Sequence, residues 1–309
     1  MLVAVLLMAA GPVEAPRGWI QLPPSTLSIA VDEAWQVWWR ADSAPTRWPT
    51  ADARVVGAIR WQRARAGVEW GQLRMAGTGE AWRVGVILVR FDPAMLDVSI
   101  AVNRVGSGRA GPWSIDDAPP DAAIALNAGQ FVGSAPWGWV VHDRRERRPP
   151  GIGPLAPAIV VDTGGRISFV PSDSIGPVRS RGAAKEAFQS YPMLLAGDGD
   201  IPAAIRDTGL GVDLAHRDSR LAIGELRDGR WIIALTRFEG LGGVLTRLPF
   251  GLTVPEMAAV LGAVGARQAV MLDGGISAQL MVRDSTTQRI TWKGFRSVPM
   301  GLVARSRRE

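Results

Sequence analysis

From about residue 67 onward, apolar residues recur in short stretches at the spacing of strands rather than helices. "AWRVGVILVRFD" (81–92), "LDVSIAVNRVG" (96–106), "AAIALNAG" (122–129), "GWVVHD" (138–143) and "QAVMLDGG" (268–275) each predict a strand. "PAIVVDTGGRISFV" (157–170) and "RLAIGELRDGRWIIALTRF" (220–238) each predict a hairpin, with Gly164–Gly165 and Asp228–Gly229 expected to supply positive φ at the turns. One helix stands apart, in "LTVPEMAAVLGAVGA" (252–266). Thr253 and Glu256 form a capping-box pattern, Pro255 is tolerated in the first turn, and Gly265 sits where a C-terminal cap belongs. Val254, Met257, Ala258, Leu261 and Val264 recur at helical spacing and predict the buried stripe. The pattern is that of an α+β fold built on a mixed, mainly antiparallel sheet with few helices.

Residues 17–66 differ in texture: Trp19, Trp35, Trp38, Trp39, Trp48 and Trp61 are set among Pro, Asp and Arg. This Trp-rich segment is expected to pack against the main domain, and a platform for sugar rings is the alternative. The first sixteen residues carry an apolar run too short to span a bilayer, followed by a small-residue V-E-A. They read as an export leader, which implies a periplasmic or extracellular protein, although a buried first strand would look similar. No later segment approaches membrane-spanning length.

Composition removes several chemistries. The 309 residues include no cysteine, which excludes disulfides, thiolate nucleophiles and Cys-ligated zinc. The two histidines, His142 and His216, are far apart in sequence and cannot build a His-rich metal site. The net charge of +6 is almost all arginine, since Lys185 and Lys293 are the only lysines. Arginine in place of lysine, beside abundant Ala, Gly and Pro, reads as coding bias rather than as a nucleic-acid partner. The densest basic cluster, "HDRRERR" (142–148), is interrupted by acids and reads as solvated surface, as does the terminal "RSRR" (305–308).

The remaining candidates are oxygen and guanidinium chemistry at strand ends. Asp273 follows the apolar run Gln268–Leu272 and precedes Gly274 and Gly275, whose bare backbone lets amides approach an anion. The same Asp-Gly pair is also a strong turn signal, so the local pattern alone leaves chemistry and bending open. Asn127 ends a second apolar strand, before a loop rich in Gly, Trp and Pro, and is either functional or a turn cap. Arg220 opens the strand in "HRDSRLAIG" and suits a planar grip on phosphate or carboxylate, with a surface arginine as the bland alternative. Tyr191 stands beside a short apolar strand in "SYPMLLAGDGDIP" (190–202).

In this order, "LNAGQF" (126–131), "YPMLLAGDG" (191–199), "RLAIG" (220–224) and "GLTVPEMAAVLGAVGARQAVMLDGGIS" (251–277) resemble the phosphodiester glycosidase family, over roughly residues 67–305. The resemblance implies hydrolysis of a sugar-1-phosphodiester, on envelope or exopolysaccharide glycans, with Asp273, Asn127 and Arg220 catalytic. It further implies that Gly129, Phe131, Gly138, Tyr191, Gly274, Gly275 and Ser277 contact substrate, and it leaves a divalent cation possible. Asp273 would be the acid/base or a cation ligand, Arg220 and the Gly274–Gly275 amides would hold phosphate charge, and Asn127 would orient sugar or water. The chain departs from the family pattern at Ile276, at Gln130 and in "RFEGLGG" (237–243), which motivates the alternative of a non-catalytic carbohydrate-binding envelope protein of the same fold. An ordinary carboxylate-pair glycosidase, acting on substrates without phosphate, is the third reading.

Overall fold

The computed structural model describes residues 25–105, 109–208, 211–240, 248 and 250–307. The expected leader, Trp19 and residues 241–243 lie outside them. Among the described residues, three main sheets carry the fold, and every strand pairing between them is antiparallel.

The largest sheet has nine strands. It runs from Met193–Leu195 through Ala266–Leu272, Leu221–Leu226, Trp231–Phe238, Val84–Phe91, Val68–Gly77 and Thr26–Val31 to Ala34–Arg40, with Gln62–Arg65 paired off Val68–Gly77. A second sheet orders Arg289–Trp292, Leu280–Arg283, Ala122–Asn127, Gly301–Ser306 and Leu96–Ala101. A third orders Arg145–Arg148, Val140–His142, Ala184–Gln189, Ala158–Asp162 and Ile167–Val170.

The alternation of side chains along each strand decides which core it serves. In the strand Val84–Phe91, Val86 and Leu88 enter a core shared with the helix, while Ile87, Val89 and Phe91 face the other sheets. Leu221 and Ile223 join that second core, and Ala222 and Leu226 the first. Strands buried on both faces read as continuous apolar runs, which is why the central strands were visible in the sequence. Both hairpins form with the expected pairings. Their turns use one positive-φ residue each, Gly165 and Gly229. Gly164 and Asp228 do not adopt positive φ. The Asp162 and Asp228 carboxylates instead accept amide hydrogens within the turn, which fixes a right-handed first half before the left-handed glycine.

The helix spans Val254–Ala263 with both capping-box bonds present, and Gly265 follows it at φ +96°. Its burial exceeds a stripe: all ten residues are buried, because tryptophans cover the side that faces away from the sheet. A Cβ at Gly262 would come within 2.2 Å of the Trp48 ring. Trp38, Trp39 and Trp48 lie in this core, and Thr26–Val31 pairs with Val68–Gly77. The stretch around Trp35, Trp38 and Trp39 is a strand entered through the tight turn at Asp32–Glu33.

Glu256, at the third position of the helix, is fully buried and does double duty. One carboxylate oxygen accepts the Thr253 amide, and both accept the Arg217 guanidinium, at 2.5 and 2.7 Å. Ser25 donates its hydroxyl to the same carboxylate and also accepts from Arg217. The helix N-terminus, the first described residue and the loop ahead of Arg220 thereby share one buried ion pair. Removing one member strands the other charge, a loss of about 3–5 kcal/mol. Glu256→Ala is therefore expected to lower unfolding stability by about that much in urea titration, against well under 1 kcal/mol for an exposed pair.

Candidate functional site

Asp273 leaves the strand Ala266–Leu272 at the point where the largest sheet meets the second one. Its main chain is gripped from both sides by the "LNAG" segment: the Asn127 Nδ2 donates to the Asp273 carbonyl (2.8 Å), and the Asp273 amide donates to the Gly129 carbonyl (2.8 Å). The Asn127 Oδ1 accepts the Gln279 amide at 2.9 Å. Asn127 is thus sealed, fully buried with both ends of its amide satisfied inside the protein. It is not among the residues lining the cleft, and both of its side-chain bonds hold neighbouring main chain, that of Asp273 included.

The two glycines after Asp273 serve close packing. A Cβ at Gly274 would lie 2.4 Å from the Ser219 carbonyl oxygen, and one at Gly275 would lie 2.9 Å from an Asp218 carboxylate oxygen. The Gly275 amide donates to the Ser219 carbonyl at 2.7 Å, and both glycines line the cleft. The effect is to press the turn against the segment His216–Arg220. In that extended segment His216, Asp218 and Arg220 alternate on one side.

These residues line a cleft of about 590 Å³ with Tyr191, Gln130, Ile276, Ser277 and Arg296. The Arg220 guanidinium donates through Nε to the Leu252 carbonyl (2.8 Å) and through one terminal nitrogen to the His216 carbonyl. Its other terminal nitrogen has no partner among the described residues. Burial pulls the Arg220 guanidinium below its ordinary pKa, and the nearby Asp218, Glu256 and Asp213 carboxylates oppose that shift. Arg296 donates from Nε to the Ser277 hydroxyl (2.7 Å), and its terminal nitrogen stands 3.5 Å from the Asp273 Oδ2. That oxygen is buried and has no hydrogen bond.

Desolvation pushes both carboxyls of the cleft above their ordinary range. For Asp273, burial outweighs the Ser277 hydroxyl and the Arg296 guanidinium. For Asp218, burial outweighs Arg220, the Ser219 amide and His216, and the negative charge of Asp273 adds to the rise. Two carboxyls raised above their ordinary range beside two guanidinia are a set able to exchange a proton and bind phosphate. No three acidic or imidazole donor atoms in this cleft lie close enough to share an ion among the described residues. The one such group, His142, Asp143 and Glu186, lies outside the cleft's lining.

The other residues expected at the site divide. Tyr191 lines the cleft, edge-on to Trp137 with centroids 4.7 Å apart. Gln130, where the family pattern has an aromatic residue, donates its side-chain amide to the Tyr191 carbonyl at 2.8 Å. Ser277 is buried beneath Arg296. Three others lie off the cleft. Phe131 packs on the core, Gly129 (φ +74°) sits against Met300, and Gly138 (φ +76°) sits against Gln189, and none of the three lines the cleft. Asp218 and Arg296 went unread. The first was within reach through its i, i+2 relation to Arg220, whereas nothing local distinguishes Arg296 from other surface arginines.

The chain belongs to the phosphodiester glycosidase family, whose model matches residues 121–305, more than half of the sequence. In fold it is similar to the zebrafish N-acetylglucosamine-1-phosphodiester alpha-N-acetylglucosaminidase catalytic domain auto-inhibited by its pro-peptide. The TM-score there is 0.57 and the identity 16%, over 81% of this chain and 88% of that one. It is also similar to a hypothetical protein from Synechocystis, with TM-score 0.55 and identity 16%, over 94% of this chain and 68% of that one. No curated protein matches it in sequence.

The raised Asp273 pKa carries a cost with a definite sign. The folded state keeps that proton to a higher pH than the unfolded chain, so ionising the group opposes folding above the ordinary range. Asp273→Asn should therefore melt at a higher temperature than the parent at about pH 7, with the gap closing as pH falls toward 3.8. Thermal denaturation across that range checks it, and an Asn variant less stable at neutral pH would contradict it.

Proposed function

We propose that the chain hydrolyses a sugar-1-phosphodiester, releasing free sugar and a phosphomonoester, on envelope or exopolysaccharide glycans outside the cytoplasm. The observation that carries the reading is the single cleft in which Asp273, Asp218, Arg220 and Arg296 converge. Family membership supports the reaction class, and the apolar N-terminal run motivates export.

In this reading water attacks the anomeric carbon while the bond from that carbon to the phosphate oxygen breaks. The bonding electrons leave with the phosphate, and water's proton passes to a carboxylate. Asp273, which lines the cleft, is assigned as that base. Asp218, raised by burial and to a lesser degree by the charge of Asp273, is assigned as the acid that donates to the departing phosphate oxygen. The unpartnered nitrogen of Arg220 and the Arg296 guanidinium meet the negative charge that gathers on the phosphate. Asn127 and Gly129 act at one remove, by holding the Asp273 main chain.

Ile276 favours a second reading. It is 44% exposed on the cleft wall where the family pattern has glycine, and a side chain there narrows the entry. A protein that binds the glycan without cleaving it would show this.

Purified protein offered methyl diesters of sugar-1-phosphates, beside matched methyl glycosides without phosphate, tests these readings together. The proposal expects free sugar from the diesters alone, and binding without release would favour the second reading. Asp273→Asn should lower turnover by about a hundredfold or more, and Arg220→Ala should do so while also raising KM. Undiminished turnover in Asp273→Asn would end the assignment.

A further inference from the structure

A second, larger concavity of about 860 Å³ adjoins the cleft, and Arg296 lines both. One wall is the segment Arg296–Met300, and another is the hairpin Phe131–Pro136, whose leading neighbour Gln130 lines the cleft. The remaining charge comes from the edge strand Arg145–Arg148. Arg145, Arg147 and Arg148 all line this groove, along with His142, and no Asp or Glu does. These three arginines form no ion pair among the described residues.

Strict alternation would put Arg145 and Arg148, three apart, on opposite faces of the strand. A β-bulge prevents that. Arg145 pairs with His142, Glu146 with Val141 and Arg148 with Val140, leaving Arg147 as the extra residue. The bulge returns Arg148 to the face of Val140 and His142, both of which line the groove. Glu146, the acid that interrupts the cluster in sequence, turns to the other side. There it accepts from Arg179 at 2.6 and 2.7 Å and from the Trp139 indole at 3.0 Å. Charges that merely guard an edge strand against pairing need not share a face. These do, in a groove that shares Arg296 with the cleft.

We propose that this groove binds the aglycone side of the substrate, and that the aglycone is an acidic oligosaccharide bearing further phosphate or carboxylate groups. The proposal rests on the hydrolase reading for which end of the substrate lies here, while the binding itself does not depend on turnover. The walls are aliphatic and proline, with Ile100, Pro112, Val298 and Pro299 among them, and no Trp, Tyr or Phe among the described residues lines the groove. Stacking platforms of the kind that hold single-stranded nucleic acid are therefore missing, and a chain recognised by charge fits better. A concavity of this volume accommodates a ligand of several rings.

The test uses one sugar-1-phosphate esterified to three trisaccharide aglycones: maltotriose, its phosphorylated form and trigalacturonate. The parent protein should show a KM about tenfold or more lower for the two acidic aglycones than for maltotriose, with the preference weakening in salt. R145S/R147S/R148S should erase that preference and leave kcat/KM on the maltotriose diester unchanged. Arg147→Glu, a single change at an exposed position, should by itself invert the preference and covers the event that the triple variant fails to fold. A parent without preference, or variants that keep it, would overturn the proposal. Calorimetric binding of uncleavable oligogalacturonate separates the two readings. Binding through these arginines with no diester cleaved sinks the hydrolase and spares the groove, and cleavage without such binding does the reverse. Tighter binding of single-stranded DNA than of oligogalacturonate would also overturn the acidic-glycan assignment.

Discussion

Everything at the site depends on one buried amide. Asn127 is the last residue of its strand in the second sheet, and it fastens the carbonyl of Asp273, the first residue after a strand of the largest sheet. Its other end takes the Gln279 amide just before the strand Leu280–Arg283 begins. Three strand ends from two sheets are thereby fixed at one point. An unmade hydrogen bond here leaves a buried polar group stranded, at about 1–3 kcal/mol each, so the turn at Asp273 has little freedom to relax. Asparagine suits the task because one short side chain offers both a donor and an acceptor. Aspartate in its place would offer two acceptors to a carbonyl and an amide, and would lose one bond.

That fastening permits the electrostatics. A carboxyl with a buried, unbonded oxygen resists ionisation and would move away if its backbone could. Asp273 is held by Asn127 and Gly129 on one side, and its turn by the Gly275–Ser219 bond on the other. Beneath the turn, the buried Arg237 donates to the Ser219 hydroxyl (2.8 Å) and the Ala278 carbonyl (2.6 Å), tying the two flanks together. Further out, Glu256 and Arg217 fix the chain entering Asp218 and Arg220. Asp273 and Asp218 are thus held in place by bonds that lie outside the cleft.

Much of this frame was legible in the sequence, for physical reasons. Strands buried on both faces must be apolar throughout, so Ala122–Leu126 and Gln268–Leu272 announced themselves, and the polar residue ending each marked the exits. Thr253, Glu256 and Gly265 signal a helix through bonds made within a few residues. Less legible was which way a group faces. Asn127 ends a strand, which the sequence shows, but its bonds to Gln279 and Asp273 span more than a hundred residues, which it does not. The glycines also let Ser219 and Asp218 come close, a need set by a distant segment. Arg296 reaches the cleft only through the folding of a distant segment. The cluster "HDRRERR" is exposed surface as expected, but which of its arginines share a face is decided by a bulge, which periodicity does not register.

The same geometry bears on the chemistry the cleft favours. A phosphomonoester is a capable leaving group, so the step of departure asks less for a proton than for positive charge around the phosphate. Arg220 and Arg296 supply that charge from two different elements, and the groove beyond Arg296 continues it away from the reacting carbon. In the proposed reaction Asp218 supplies a proton and the guanidinia meet the charge on phosphate, a combination that a substrate without phosphate would use only in part. Ile276 and Gln130 stand apart from the charged groups. One projects from the cleft wall and the other braces Tyr191, while Asp273, Asp218 and both arginines remain together in the cleft.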